Sequence, residues 1–174
     1  QYGLSDESVD RSTGVPYPTE KVSFKFPTLQ TATLSNGAKV VLAQRSDVPL
    51  VEMNFQFNFG YAQENNDELG FTNFMMDMLN EGTRKYSSLE FDQILDSLGS
   101  NIGFGSGLDS SFVSISSLKD NLDETLDLAK EAVMYPTFPL DEIERIKKQT
   151  LAAFKREEFR PASIAFRNIG NLLY

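Results

Sequence analysis

Hydrophobic and polar positions alternate most cleanly in the segment "VEMNFQFNF", where Val51, Met53, Phe55, Phe57 and Phe59 are separated by Glu52, Asn54, Gln56 and Asn58. A period of two sends successive side chains to opposite faces of a strand. The segment therefore predicts a strand with one buried and one polar face, as in an antiparallel sheet covered on one side. Upstream, "TATLSNGAKVVLAQ" predicts two short strands about Asn36-Gly37, a pair that tolerates the positive φ of a tight hairpin turn.

The period changes in "GFTNFMMDMLNEGT", residues 70–83. Phe71, Phe74, Met75, Met78 and Leu79 fall at i, i+3, i+4, i+7 and i+8, the stripe by which a helix packs on a core. Asn73, Met76, Asp77 and Asn80 fall on another side. That second face reads either as the half-polar surface of a structural helix or as the lining of a cleft that meets a partner or a peptide, with Met76 offering adaptable apolar contact.

Next comes "SSLEFDQILDSLG", a helix expected to start in a capping box of Ser87 and Glu90 and to stop at Gly99. "NIGFGSG" and "SSFVSISSL" predict two strands joined by a turn at Gly107-Leu108-Asp109. Asp120 is expected to cap a helix running to Met134 and halted by Pro136. "PLDEIERIKKQTLAAFKREEF" predicts a long helix, broken at Pro161, with a further helical pattern in residues 162–174. Strands, two helices, strands and then helices imply an α+β fold, with helices covering one face of an antiparallel sheet. Residues 1–20 are polar, aperiodic and broken by glycine and proline, so a flexible N-terminal arm is expected there, and residues 21–174 are expected to be most of one domain.

Composition narrows the chemistry. The chain holds 174 residues with a net charge of −9, which disfavours nucleic acid or an anionic membrane surface as a main partner. It contains neither cysteine nor histidine. A thiolate nucleophile, a disulfide and any Ser-His-Asp or Cys-His mechanism are thereby excluded within these residues, and the commonest zinc ligand is missing. No apolar run approaches the roughly 20 residues of a transmembrane helix. The first residue is Gln1 rather than methionine, and the last residues, Leu172-Leu173-Tyr174, sit within an apolar helical pattern; a processed or partial chain is expected. Asp92, Asp96, Asp120, Asp123, Glu124 and Asp127 fall on solvated faces or caps and form no acid/base pair.

Several local stretches occur together in an ordered set: "LSNGAKVVL", "FNFGYAQEN", "ELGFTNFMMDMLNEGTRKYSSLEF" and "SLKDNLDETLDLAKEAVMYPTFPLDEIERIKKQ". From about Thr31 to Tyr174 the chain resembles the N-terminal domain of the insulinase/pitrilysin zinc metallopeptidases, which include the mitochondrial processing peptidases. Gly70, Phe74, Met78, Gly82 and Thr83 match the family frame. The resemblance implies an inverted H-x-x-E-H motif on the first helix: two histidines one turn apart bind zinc, and the glutamate activates the metal-bound water. In this sequence the histidine positions hold Asn73 and Asp77, and the glutamate position holds Met76. The family's third ligand, a later glutamate, aligns with Ala153. No catalytic residue, metal ligand or zinc cofactor is therefore expected.

The resemblance also implies an edge strand that takes peptide by β-addition. It corresponds to Ile102, Gly103, Phe104, Gly105 and Ser106, with Gly103-Phe104 in place of the family's usual Asn-Ala. The residues themselves read first as a plain glycine-rich edge with weak register. The resulting expectation is a non-catalytic homologue, the inactive partner chain of a catalytically intact one, helping to enclose and hold peptide or unfolded polypeptide. A stand-alone peptide-binding or scaffold protein is the alternative, and a metallopeptidase with altered ligands a third. The expected compartment is the bacterial periplasm or cell envelope, with the mitochondrial matrix or cytoplasm as alternatives.

Overall fold

The computed structural model describes residues 26–45 and 47–173; the expected arm at residues 1–20 lies outside them. The chain divides into two compact units after Asp47. In the first, β1 (Leu29–Thr33) pairs antiparallel with β2 (Lys39–Ala43). The turn between them is the expected one: Gly37 has φ 86°, and the Asn36 side-chain oxygen accepts from the Ala38 amide at 3.0 Å.

The second unit is built on β3 (Leu50–Phe57), β4 (Asn101–Ser106) and β5 (Ser111–Leu118), in the order β3-β5-β4 with both pairings antiparallel. Register places Met53 and Ile102 on either side of Ile115, and Phe55 and Phe104 on either side of Val113. Val113 and Ile115 are buried beneath helices α2 (Ser88–Leu98) and α3 (Leu122–Met134), in a core with Phe91, Leu95, Leu98, Ile102, Leu128, Ala129 and Ala132. The opposite face carries Glu52, Asn54, Ser114 and Ser116, and Ser116 donates to Glu52 at 2.7 Å. The α+β reading thus holds, with helices on one face of an antiparallel sheet.

The sheet departs from expectation at β3. Phe55, Phe57 and Phe59 remain 43%, 39% and 37% exposed, so its apolar face is covered only toward the Val51–Met53 end. Together with Val113, Leu126, Val133 and Met134, Phe55 and Phe57 line an apolar groove of about 300 Å³ beside α3.

Local chemistry sets the helix ends. Ser87 and Glu90 form the capping box, and Gly99 closes α2 in the left-handed region at φ 59°, where a side chain would be strained. The expected Asp120 cap is not formed. Lys119–Asn121 makes a 3-10 turn, α3 begins after Asn121, and the Asn121 amide donates instead to the Leu98 carbonyl at 2.8 Å. Inside that junction Ser100, Ser117 and Thr125 hydrogen-bond one another at 2.8–3.0 Å, which satisfies three hydroxyls between sheet and helices. Pro161 does break the C-terminal helical pattern, separating α4 (Leu140–Glu157) from α5 (Pro161–Leu173). It stands at the first helical position, where a missing amide costs nothing.

Candidate functional site

The helix that would carry the metal motif, α1, is short: Phe71–Asp77. Its start is held from outside. The Glu64 carboxylate accepts the Gly70 amide at 2.7 Å and the Thr72 amide at 2.6 Å, filling the role of an N-cap side chain from upstream. A hydrogen bond from the Thr72 side chain and those two amides hold the Glu64 carboxyl below the ordinary glutamate range. Beyond Asp77 the chain turns through Gly82, whose α-carbon lies so close to the Pro139 ring that a Cβ there would sit 2.6 Å from Cγ. The Thr83 hydroxyl then accepts from the Tyr86 amide at 3.0 Å, and Arg84 and Lys85 both reach buried Glu131 at 3.4 Å.

That short length changes the expected faces. Met78 and Leu79 are buried as anticipated, but they lie past the helix, and Phe71 at its start is 65% exposed rather than part of the core. Met76, expected on a half-polar face, is only 3% exposed. A seven-residue helix completes just under two turns, so the helical phase extrapolated over nine residues misplaces Phe71 and Met76, while Met78 and Leu79 are buried from the turn that follows.

Met76 and Asp77 line a cleft of about 370 Å³ with Asn80, Glu81, Ile102, Phe104, Ile146, Gln149 and Thr150. α1 supplies the first two, β4 the Ile102 and Phe104 side chains, and α4 the last three. Ile102 is buried and Phe104 partly so. Glu81 ties α4 to the turn after α1: it accepts from the Ser88 hydroxyl at 2.8 Å and pairs with Arg145, which also holds Glu142. Asp77 has no hydrogen-bond or ion-pair partner among the described residues. Partial desolvation, reinforced by the charge of Glu81, raises its carboxyl above the ordinary aspartate range.

Of the four positions where the family chemistry would sit, Met76 and Asp77 reach the cleft. Asn73 is exposed one helical turn before Asp77, and Ala153 follows Thr150 along α4 outside the lining. These residues do not fit zinc: a thioether, one carboxylate, a neutral amide and a methyl cannot supply a tetrahedral nitrogen or thiolate set or a general base. Among the described residues no three histidine, cysteine or acidic side chains converge on one point.

β4, the expected peptide-binding strand, is an edge of the three-stranded sheet, and Ile102, Gly103, Phe104, Gly105 and Ser106 all lie on it. Its glycines have a packing role the sequence did not show. A Cβ on Gly105 would sit 2.5 Å from the Phe112 ring, and one on Gly103 2.7 Å from the Ser114 hydroxyl. The cross-strand neighbours of β5 occupy the space, so beyond Asn101 β4 carries no side chain on the face away from Ile102 and Phe104. Sequence reasoning missed Glu81, Arg145, Gln149 and Thr150. They come from segments more than 60 positions apart, and nothing in either segment marks the other.

No helix among the described residues is long and apolar enough to cross a membrane. Comparison with known proteins adds family membership. The model of the insulinase family, peptidase family M16, matches residues 39–172. The chain is 26% identical over 139 residues to the non-peptidase homolog YmxG of Helicobacter pylori, covering 76% of this chain and 32% of that protein. It resembles the crystal structure of a peptidase M16 inactive domain from Pseudomonas fluorescens with a TM-score of 0.73 and 32% identity, over 79% of this chain and 34% of the other. A second crystal structure, of a protease from Helicobacter pylori, matches with a TM-score of 0.67 at 22% identity over 80% and 34% of the two chains, a likeness of fold. The chain spans about a third of the length of these relatives. The family model covers most of the chain, which therefore belongs to the insulinase family, peptidase M16.

Proposed function

We propose that this protein is the inactive partner chain of a peptidase complex: it binds a catalytically intact homologous chain and helps enclose and hold peptide substrate. One observation carries the reading. The helix frame of a zinc peptidase is retained, from Gly70 through Gly82 and Thr83, while each position that would do chemistry has lost its ligand or base. The cleft persists beside an open strand edge, which is what a chain that holds but does not cut requires. Relatives named as a non-peptidase homolog and an inactive domain support the same assignment. The cell envelope of a bacterium is the proposed compartment.

Co-expression of the full-length protein with a family chain that keeps H-x-x-E-H tests the pairing. A stoichiometric complex whose peptidase activity exceeds that of the intact chain alone is the expected result. A protein that stays separate at micromolar concentration from every such chain of its own organism overturns it. The cleft and edge strand are carried by this chain alone, which favours a second reading, a stand-alone peptide binder; it predicts peptide binding with no gain of hydrolysis in any pairing. Zinc remaining bound in stoichiometric amount, with hydrolysis lost in Asp77→Ala, would overturn both.

A further inference from the structure

Among the described residues, Phe138 alone takes a positive φ without being glycine, at 47°. That region strains a bulky side chain, and the ring of the following Pro139 narrows the backbone choices of Phe138 further. Strain of this kind persists where the surrounding structure fixes the chain. Upstream the fixing is dense. The Tyr135 carbonyl accepts from the Arg84 amide at 3.0 Å, Thr83 and Pro136 form an antiparallel bridge, and the Thr137 amide donates to the Gly82 carbonyl at 2.9 Å. Downstream the Pro139 carbonyl already accepts the Ile143 amide of α4 at 2.9 Å. Phe138 therefore stands between a clamped turn and the first bond of a rigid helix.

That helix is lightly held. No residue of α4 is buried. It faces α1 and β4 across the cleft of about 370 Å³ through Ile146, Gln149 and Thr150, of which Ile146 and Thr150 are half-buried. A rotation that carries these three residues outward takes little apolar area out of contact, so hydrophobic burial holds the helix weakly in place. Arg145 ties α4 to Glu81 on the far side of the cleft, and its side chain is 43% exposed. An ion pair with one partner so exposed breaks at small cost.

We propose that Phe138 is a strained pivot and the Arg145–Glu81 pair a latch, so that α4, the outer wall of the cleft, swings outward when the pair breaks and Phe138 relaxes to a negative φ. The strain and the latch oppose one another, which keeps the closed and open positions close in free energy. Concentrating the backbone change at one residue beside a rigid element is how hinge closure works in general. The inference concerns how wide the cleft stands, whatever enters it.

The chain has no cysteine, so nitroxide labels attach only where a cysteine is introduced. Double electron–electron resonance between Ser97→Cys on α2 and Lys148→Cys on α4, both exposed positions, reads the placement of the helix in the full-length protein. Arg145→Ala is expected to raise the longer-distance population about fivefold. Adding Phe138→Gly, which accepts a positive φ without strain, should return the distribution toward the shorter distance. Phe138→Ala removes the ring but keeps a Cβ, and should leave the longer distance in place. An unchanged distribution in Arg145→Ala overturns the latch, and equal effects of the glycine and alanine substitutions overturn the pivot.

Discussion

Arg145, on α4, forms an ion pair with Glu81, in the turn after α1, across a sequence separation of 64 residues. The pair joins the two sides of the cleft, and the Glu81 side chain is only 12% exposed. Removing the guanidinium leaves that carboxylate poorly solvated, so Arg145→Ala is expected to lower stability by about 1 kcal/mol. Faster amide exchange confined to the first turns of α4, with α2 and β5 unchanged, is the expected signature of a lost tether.

Phe91 is fully buried at the centre of the core, between α2 and the sheet. Phe91→Ala removes most of its side chain and leaves a cavity, which costs about 3–5 kcal/mol. On the same helix Leu89 is 68% exposed, and Leu89→Ala should change stability by less than about 0.5 kcal/mol. Urea unfolding of the two variants distinguishes a core position from a surface one that sequence hydrophobicity alone would rank alike.

Glu64 caps α1 only as a carboxylate, since two backbone amides donate to it. Its folded carboxyl titrates below its unfolded value. The stabilisation is therefore complete above the ordinary glutamate range and is lost as pH falls through the lowered folded value. Glu64→Gln should destabilise α1 at neutral pH and flatten the acid dependence of its protection, read by amide exchange between pH 3 and pH 7.

Asp77 titrates in the opposite sense. Desolvation and Glu81 raise its folded carboxyl, so its negative charge opposes folding once pH exceeds the unfolded value, and the penalty is full above the raised folded value. Asp77→Asn is expected to raise the melting temperature at pH 7 and to leave it unchanged at low pH, where the native side chain is already neutral.

Much of this architecture was legible because its determinants are local. The Ser87/Glu90 capping box, the Gly99 stop, the Asn36-Gly37 turn and the alternation in β3 each depend on backbone preferences within a few residues. The expectation about zinc rests on different grounds: side-chain identity alone decides whether Asn73, Met76, Asp77 and Ala153 can bind a metal. Tertiary structure decided what periodicity could not. α1 ends after Asp77, so Phe71 faces solvent while Met76 is buried in the cleft floor. Glu64 rather than a neighbouring residue caps it, Phe112 explains Gly105, and Arg145 meets Glu81. Each of these is a contact between segments distant in sequence or a helix length set by packing, and a one-dimensional pattern carries the face of a helix but not its end or its neighbour.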